Sequence, residues 1–94
     1  MRKYELICVI QPDLDETAFN GVVEKVKGWV SDSGGSIDKV DVWGRRKMAY
    51  IIKKHREGQY VLFNVTMSPS ATSDLERNLR YQEPIIRHML SVAV

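Results

Sequence analysis

Six basic side chains fall within twelve consecutive residues near the middle of the chain, with no acidic residue among them. They are Arg45, Arg46, Lys47, Lys53, Lys54 and Arg56. Clustered lysine and arginine side chains neutralise phosphates and release counterions from nucleic acid, so this segment is a candidate nucleic-acid edge. The alternative is a solvated hairpin whose charges only protect an exposed strand edge. The density of charge alone favours neither interpretation.

The charge is also uneven along the whole chain. The net charge is only +2, yet residues 34–67 carry seven basic and three acidic side chains, whereas residues 1–33 carry four basic and six acidic ones. A polyanion would therefore bind the region of residues 34–67 and not the whole surface.

Side chains that could perform catalysis or bind a metal are few and poorly spaced. Cys8 lies within an apolar run, where a buried, inert thiol is expected. His55 and His88 are far apart, and the chain has no Cys-x-x-Cys or His-x-x-x-His pattern. No serine, histidine and aspartate are spaced as nucleophile and base. We expect no enzymatic activity, no metal, no cofactor and no small-molecule substrate.

Length and composition set the scale of the fold that must position these groups. The 94 residues suffice for one domain, which we predict to span 1–94, and 44% hydrophobic with 28% charged residues is ordinary for a globular chain. No apolar run approaches the roughly 20 residues of a membrane span, and the start of the chain has no signal region. We expect a soluble, cytoplasmic protein that does not bind membranes.

The first half of the chain predicts a strand, a helix and the start of a long hairpin. Residues 4–10 are rich in β-branched side chains and form the first strand. Asp15 is placed to cap a helix that ends at Ser33-Gly34-Gly35. The apolar stripe of this helix consists of Phe19, Val22, Val23, Val26 and Val30. Residues 37–52 predict a second strand with a bulge at Gly44.

The second half predicts a turn, a strand, a helix and a last strand. The turn falls at 55–58, and the apolar side chains alternate along a third strand at 59–67. Ser68 and Pro69 are suited to the first positions of a helix, and Pro84 follows its end. Residues 85–92 form the fourth strand.

The resulting order, βαββαβ, is that of the α+β ferredoxin-like fold, a four-stranded antiparallel sheet with two helices on one face. The first and third strands are central in that topology. Ile7, Val9, Tyr60 and Leu62 would then lie together on the face without helices, and such an apolar patch predicts a partner surface. An RNA-recognition motif is disfavoured because the first strand has no outward aromatic side chain. A phosphate-binding enzyme loop is disfavoured because residues 11–15 are acidic.

Segments along the whole chain resemble the bacterial-type sixth ribosomal protein of the small subunit. They lie at 1–5, 11–14, 43–53, 58–65, 79–80 and 86–89, and the most specific is Gly-Arg-Arg-Lys-Met-Ala-Tyr at 44–50. The resemblance implies the same fold, no catalysis and a place in the central domain of the small subunit. It also implies two partners, the central domain of small-subunit ribosomal RNA and the eighteenth small-subunit protein. An organellar ribosome is left open beside the bacterial one.

The resemblance assigns roles to residues at the matching positions. The RNA-binding residues that we predict are Arg2, Lys3, Arg45, Arg46, Lys47, Lys53, Arg80 and Arg87. The resemblance names the partner protein but not its contacts, and the residues that we predict to contact it are apolar ones outside the helix-covered face: Ile7, Val9, Trp43, Tyr60 and Leu62. The rival hypothesis is a non-ribosomal ferredoxin-like interaction module, which would bind another protein or its own copy through the open face or an edge.

Overall fold

The computed structural model describes residues 1–93, so Val94 of the predicted domain lies outside the described part. Within it, the strands are β1 (Arg2–Ile10), β2 (Ser36–Ile52), β3 (His55–Met67) and β4 (Ile85–Val92). The α-helices are α1 (Glu16–Asp32) and α2 (Thr72–Arg80), and a single turn of 3-10 helix, Pro69–Ala71, precedes α2. The strands form an antiparallel sheet in the order β2-β3-β1-β4. The predicted ferredoxin-like fold is confirmed.

The hydrophobic core lies between the sheet and the two helices. β3 shows the predicted alternation, since Val61, Phe63, Val65 and Met67 are fully buried while the residues between them are half-buried. All five residues of the predicted α1 stripe are buried, as are Leu75 and Leu79 of α2. Each such side chain contributes about 1.5 to 3 kcal/mol by leaving water. Both helices pack on this face of the sheet, so the opposite face has no helix over it.

Both ends of α1 follow from local chemistry. The Oδ1 atom of Asp15 accepts a hydrogen bond from the backbone N–H of Ala18 at 2.8 Å, which is the predicted cap. After the helix, Gly34 has φ of +86°, a conformation in which a side chain would be strained. Gly35 then approaches β3 so closely that a Cβ atom there would lie 2.7 Å from the carbonyl oxygen of Thr66.

The hairpin of β2 and β3 differs from the sequence prediction in the position of its turn. The predicted turn at 55–58 is wrong: the chain reverses at Lys53 and Lys54, and β3 begins at His55. Gly58 suggested a turn, but it is a buried strand residue against Val9, where a Cβ atom would overlap the Val9 side chain. The bulge predicted at Gly44 is confirmed by its φ of +87° and by a register shift after Val42.

No helix within residues 1–93 is long and apolar enough to cross a membrane.

Candidate nucleic-acid and partner interface

The face of the sheet without helices carries an apolar patch at its centre. The register pairs Ile7 with Leu62 and with Met89, so one row of apolar side chains crosses β3, β1 and β4. Ile7 and Leu62 are half-buried, and Met89 is 43% exposed. Ile7 and Leu62 were predicted from the sequence, but Met89 was not, because its position depends on the pairing of β4.

Val9 lies on this face, as predicted, but is only 2% exposed. Its side chain occupies the space beside Gly58, which has no side chain of its own. Val9 therefore packs within the protein and supports the patch, while Ile7 and Leu62 offer surface.

An aromatic pair extends the patch toward β2. The rings of Trp43 and Tyr60 stack with centroids 6.4 Å apart and an interplanar angle of 10°. The Arg46 Cζ atom lies 5.1 Å from the Trp43 ring centroid, within the range of a cation–π interaction. The sequence did not predict which face Trp43 lies on, because the bulge at Gly44 interrupts the alternation along β2. The stacking on Tyr60 places Trp43 on the open face. We call Ile7, Leu62, Met89, Trp43 and Tyr60 the open-face patch.

Polar and charged residues surround the open-face patch. Glu5 pairs with Asn64, which in turn pairs with Lys39, in the row next to Ile7 and Leu62. Asp41 pairs with Leu62 at the β2 edge. An apolar centre with a polar rim is the usual composition of a protein–protein interface.

Arg45, near the middle of β2, is already engaged within the protein. Its Nη2 atom donates to the backbone carbonyl oxygen of Pro12 at 2.6 Å, and its Nη1 atom lies 3.8 Å from Oε2 of Glu57. The side chain is still 59% exposed, so one edge of the guanidinium faces solvent. Arg45 thus anchors the hairpin to the loop after β1 as well as adding positive charge.

The structure gathers several predicted RNA-binding residues at one end of the sheet. Lys53, Arg80 and Arg87 come from the hairpin turn, α2 and β4, yet they line one cavity of about 220 Å³. Lys47 lines a second, open cavity of about 660 Å³ with Lys54 and Arg56. All six side chains belong to exposed residues.

Arg2 and Lys3 do not join that group. They are exposed at the start of β1, whereas Arg87 pairs with Val9 near its other end. At about 3.3 Å per residue, Arg2 and Val9 are about 23 Å apart along the strand. The two basic regions therefore lie near opposite ends of β1.

Cys8 and His88 are two further side chains of reactive types, one buried and the other half-buried. Burial raises the pKa of the Cys8 thiol to about 12, so this group stays protonated at neutral pH and is a poor nucleophile. The Nε2 atom of His88 lies 3.5 Å from Oε1 of Glu76 in α2. Among the described residues, no three histidine, cysteine or acidic side chains are grouped as metal ligands.

The structure thus combines a ferredoxin-like sheet, clustered cations at one end of it and an apolar patch on its open face. The comparisons make the class specific: the family model described as "Ribosomal protein S6" matches residues 3–91. The chain belongs to the ribosomal protein S6 family. Proteins of this family are structural, non-enzymatic components of the small ribosomal subunit, so the chain is ribosome-associated.

Two curated relatives are similar over nearly the whole chain. The small ribosomal subunit protein bS6 of Clostridium botulinum (strain Loch Maree / Type A3) is 46% identical over 90 residues, which cover 96% of each chain. The bS6 protein of Moorella thermoacetica is 42% identical over 91 residues, covering 97% of this chain and 93% of the relative. Both relatives are bacterial, and the organellar alternative has no support among them.

Solved structures give the same result for the fold. The crystal structure of 30S ribosomal protein S6 from Thermotoga maritima superimposes with a TM-score of 0.92 at 34% identity, covering 98% of this chain and 87% of that one. The C-terminal domain of the MgtC protein from Mycobacterium tuberculosis has a TM-score of 0.66 at 10% identity and shares the fold alone. The family match favours a ribosomal protein over the non-ribosomal interaction module.

Proposed function

We propose that this protein binds the central domain of small-subunit ribosomal RNA together with the eighteenth small-subunit protein. The observation that carries the proposal is the separation of two surfaces on one sheet. Cations cluster at the end of the sheet where β2 turns into β3, and the open-face patch lies on the face without helices. One protein can then contact a nucleic acid and a protein at the same time.

The RNA contacts are assigned to the eight predicted basic residues, which are all exposed. Arginine side chains bind phosphate through two parallel N–H donors, whereas lysine acts as a point charge. Arg46, Arg80 and Arg87 therefore orient the RNA backbone, and Lys47 and Lys53 add attraction without reading bases. Arg2 and Lys3 extend the contact to the start of β1. Arg45 contributes only the solvent-exposed edge of its guanidinium, because the other edge contacts Pro12 and Glu57.

The protein partner is assigned to the open-face patch. Apolar and aromatic side chains at the centre of an interface provide most of the binding free energy, and a polar rim excludes water around them. Ile7, Leu62 and Met89 form such a centre, and Trp43 and Tyr60 widen it with an aromatic surface. Val9 does not offer surface to the partner, but it supports the patch by packing against Gly58 beneath it.

Binding to RNA should depend on the partner. The net charge of +2 is small for a protein that binds a polyanion alone. A partner on the open face would add its own contacts and hold this chain in one orientation on the RNA, which raises the effective concentration of each surface for the other.

The test is binding to an RNA fragment of the central domain at 50 and 200 mM salt, with and without the eighteenth small-subunit protein. We expect tight binding only with that partner and a steep loss of affinity at the higher salt, because released counterions drive the phosphate contacts. The proposal would be contradicted if no RNA bound under any of the four conditions, or if the affinity were the same at both salt concentrations.

A further inference from the structure

A small cavity at the end of the sheet combines an apolar floor with three cations. Its volume is about 220 Å³, several times the roughly 30 Å³ of one water molecule in the liquid. Leu79, Ile85 and Ile86 line it and are buried, while the exposed residues Lys53, Arg80 and Arg87 line it from three different elements. His88 completes the lining, and no acidic residue belongs to it.

Three cations around one cavity attract an anion, and the attraction is stronger beside apolar surface, where water screens less. The nearby carboxylate of Glu76 is directed toward His88, with Oε1 at 3.5 Å from Nε2, and does not line the cavity. The arrangement fits a compact anion with several acceptor oxygens.

The hairpin turn places its two lysines at different cavities. Lys53 and Lys54 form the turn between β2 and β3 with φ of +49° and +69°. Two-residue hairpin turns with positive φ favour Asn-Gly, because a longer side chain in this conformation is strained. Lys53 lines the three-cation cavity, whereas Lys54 lines the other one.

Tyr50 orients one of the three cations. Its hydroxyl oxygen accepts a hydrogen bond from Nη1 of Arg87 at 2.9 Å, which joins the hairpin to β4. A guanidinium has five N–H donors, so Arg87 keeps others for a ligand while this bond limits its rotation.

We propose that this cavity is a binding site for a single phosphate group of the RNA backbone. Lys53, Arg80 and Arg87 hold the phosphate, and Tyr50 is a positioning residue that acts through Arg87. The inference rests on the proposed RNA binding and adds to it one defined site, which exists only when the hairpin, α2 and β4 are packed together.

The deciding experiment compares Lys53→Asn with Lys54→Asn, two variants with the same loss of charge and the same relief of backbone strain. Asparagine tolerates positive φ, so both variants should unfold at a higher temperature than the natural chain. Only Lys53→Asn should weaken binding to the central-domain RNA in the presence of the partner, by about tenfold. It should also reduce by about one the steepness with which the logarithm of the affinity falls with the logarithm of the salt concentration, called the salt slope below. Equal RNA affinities for the two variants would overturn the phosphate site.

The natural chain in the same assay separates the two proposals. If it fails to bind the RNA at all, the proposed function fails and the phosphate site fails with it. If it binds and Lys53→Asn binds equally well, only the phosphate site is lost.

Double substitutions test whether the residues share one ligand. The losses from Lys53→Asn and Arg80→Gln should not add, since both remove contacts to the same phosphate, whereas Lys54→Asn and Arg80→Gln should behave independently. Tyr50→Phe should weaken binding with an unchanged salt slope, because no cation is lost, and should have no effect in an Arg87→Gln background. Additive losses for Lys53→Asn with Arg80→Gln would contradict a shared phosphate, and a Tyr50→Phe effect that persists without Arg87 would contradict positioning.

Discussion

The guanidinium of Arg45 donates through Nη2 to the backbone carbonyl oxygen of Pro12 at 2.6 Å, so a side chain of β2 holds the loop that leads from β1 to α1. A second bond supports the same loop, since Nε2 of Gln59 donates to the carbonyl oxygen of Gln11 at 3.2 Å. These two hydrogen bonds tie the β2–β3 hairpin to the loop.

Arg45→Ala should destabilise the protein by about 1 kcal/mol, because one charged hydrogen bond to the backbone is lost. It should also speed amide hydrogen exchange in residues 11–15. Arg46→Ala is the matched control: it removes the same charge from a side chain that contacts Trp43 and not the loop. Urea unfolding and hydrogen exchange of both variants measure the difference.

The same two variants should differ in RNA binding. Arg46→Ala should reduce the salt slope by about one, since its guanidinium has no acidic partner in the structure described for residues 1–93. Arg45→Ala should reduce it by less, because Pro12 and Glu57 already engage that guanidinium. Equal salt slopes for the two variants would contradict this, and would show that Arg45 breaks its internal contacts when it binds RNA.

Leu62→Asp should abolish pairing with the eighteenth small-subunit protein while the isolated chain stays folded. The half-buried Leu62 side chain lies at the centre of the open-face patch, where a carboxylate would lose water without gaining a partner. Asn64→Asp adds a carboxylate to the same face of β3, one row away between Glu5 and Lys39, and should pair nearly normally. Calorimetric titration with the partner protein distinguishes them, and an unimpaired Leu62→Asp would rule out this face as the interface.

Gly58→Ala should destabilise the protein by about 1 to 3 kcal/mol, because the new methyl group would overlap the Val9 side chain. Val9→Ala removes the obstructing atoms, so the double variant should recover part of the stability that Gly58→Ala loses. Thermal unfolding of the two single variants and the double variant forms a thermodynamic cycle. Strict additivity would show that the two residues do not compete for space.

The Cys8 thiol should make the protein less stable in alkali. Burial raises its pKa from 9.0 to about 12, so above pH 9 the unfolded chain binds fewer protons than the folded one. Stability then falls as the pH rises, by about 2 kcal/mol between pH 8 and pH 10.5 from this group alone. Other groups also titrate there, so the quantity to measure is the difference between the natural chain and Cys8→Ala. An identical pH dependence would contradict the raised pKa.

Elements with a local, periodic signal were predictable from the sequence. The α1 stripe and the alternation along β3 depend only on repeats of 3.6 and 2 residues, and both are confirmed residue by residue. Asp15 and Gly44 were identified for the same reason, because a cap and a bulge are set by one residue and its neighbours. The order of such elements was sufficient to predict the fold.

Features that depend on packing between distant segments were not predictable. The turn was misplaced because Gly58 serves the packing of Val9, which is distant in sequence. The direction of Trp43 depends on a bulge of unknown shape, and the role of Met89 depends on the register of β4. Likewise, Lys53, Arg80 and Arg87 look unrelated in the sequence, and only the folded chain places them around one cavity.

The central position of β1 has a consequence for how the protein is made. β1 is the first strand to leave a synthesising ribosome, but its two neighbours in the sheet are β3 and β4, which end at Met67 and Val92. The hydrogen-bonding edges of β1 therefore stay unpaired until β3, and then β4, has been translated, whereas the local hairpin of β2 and β3 closes without β1. Because long-range pairing also slows folding, the newly made chain passes through a stage in which β1 is exposed to aggregation and to chaperones.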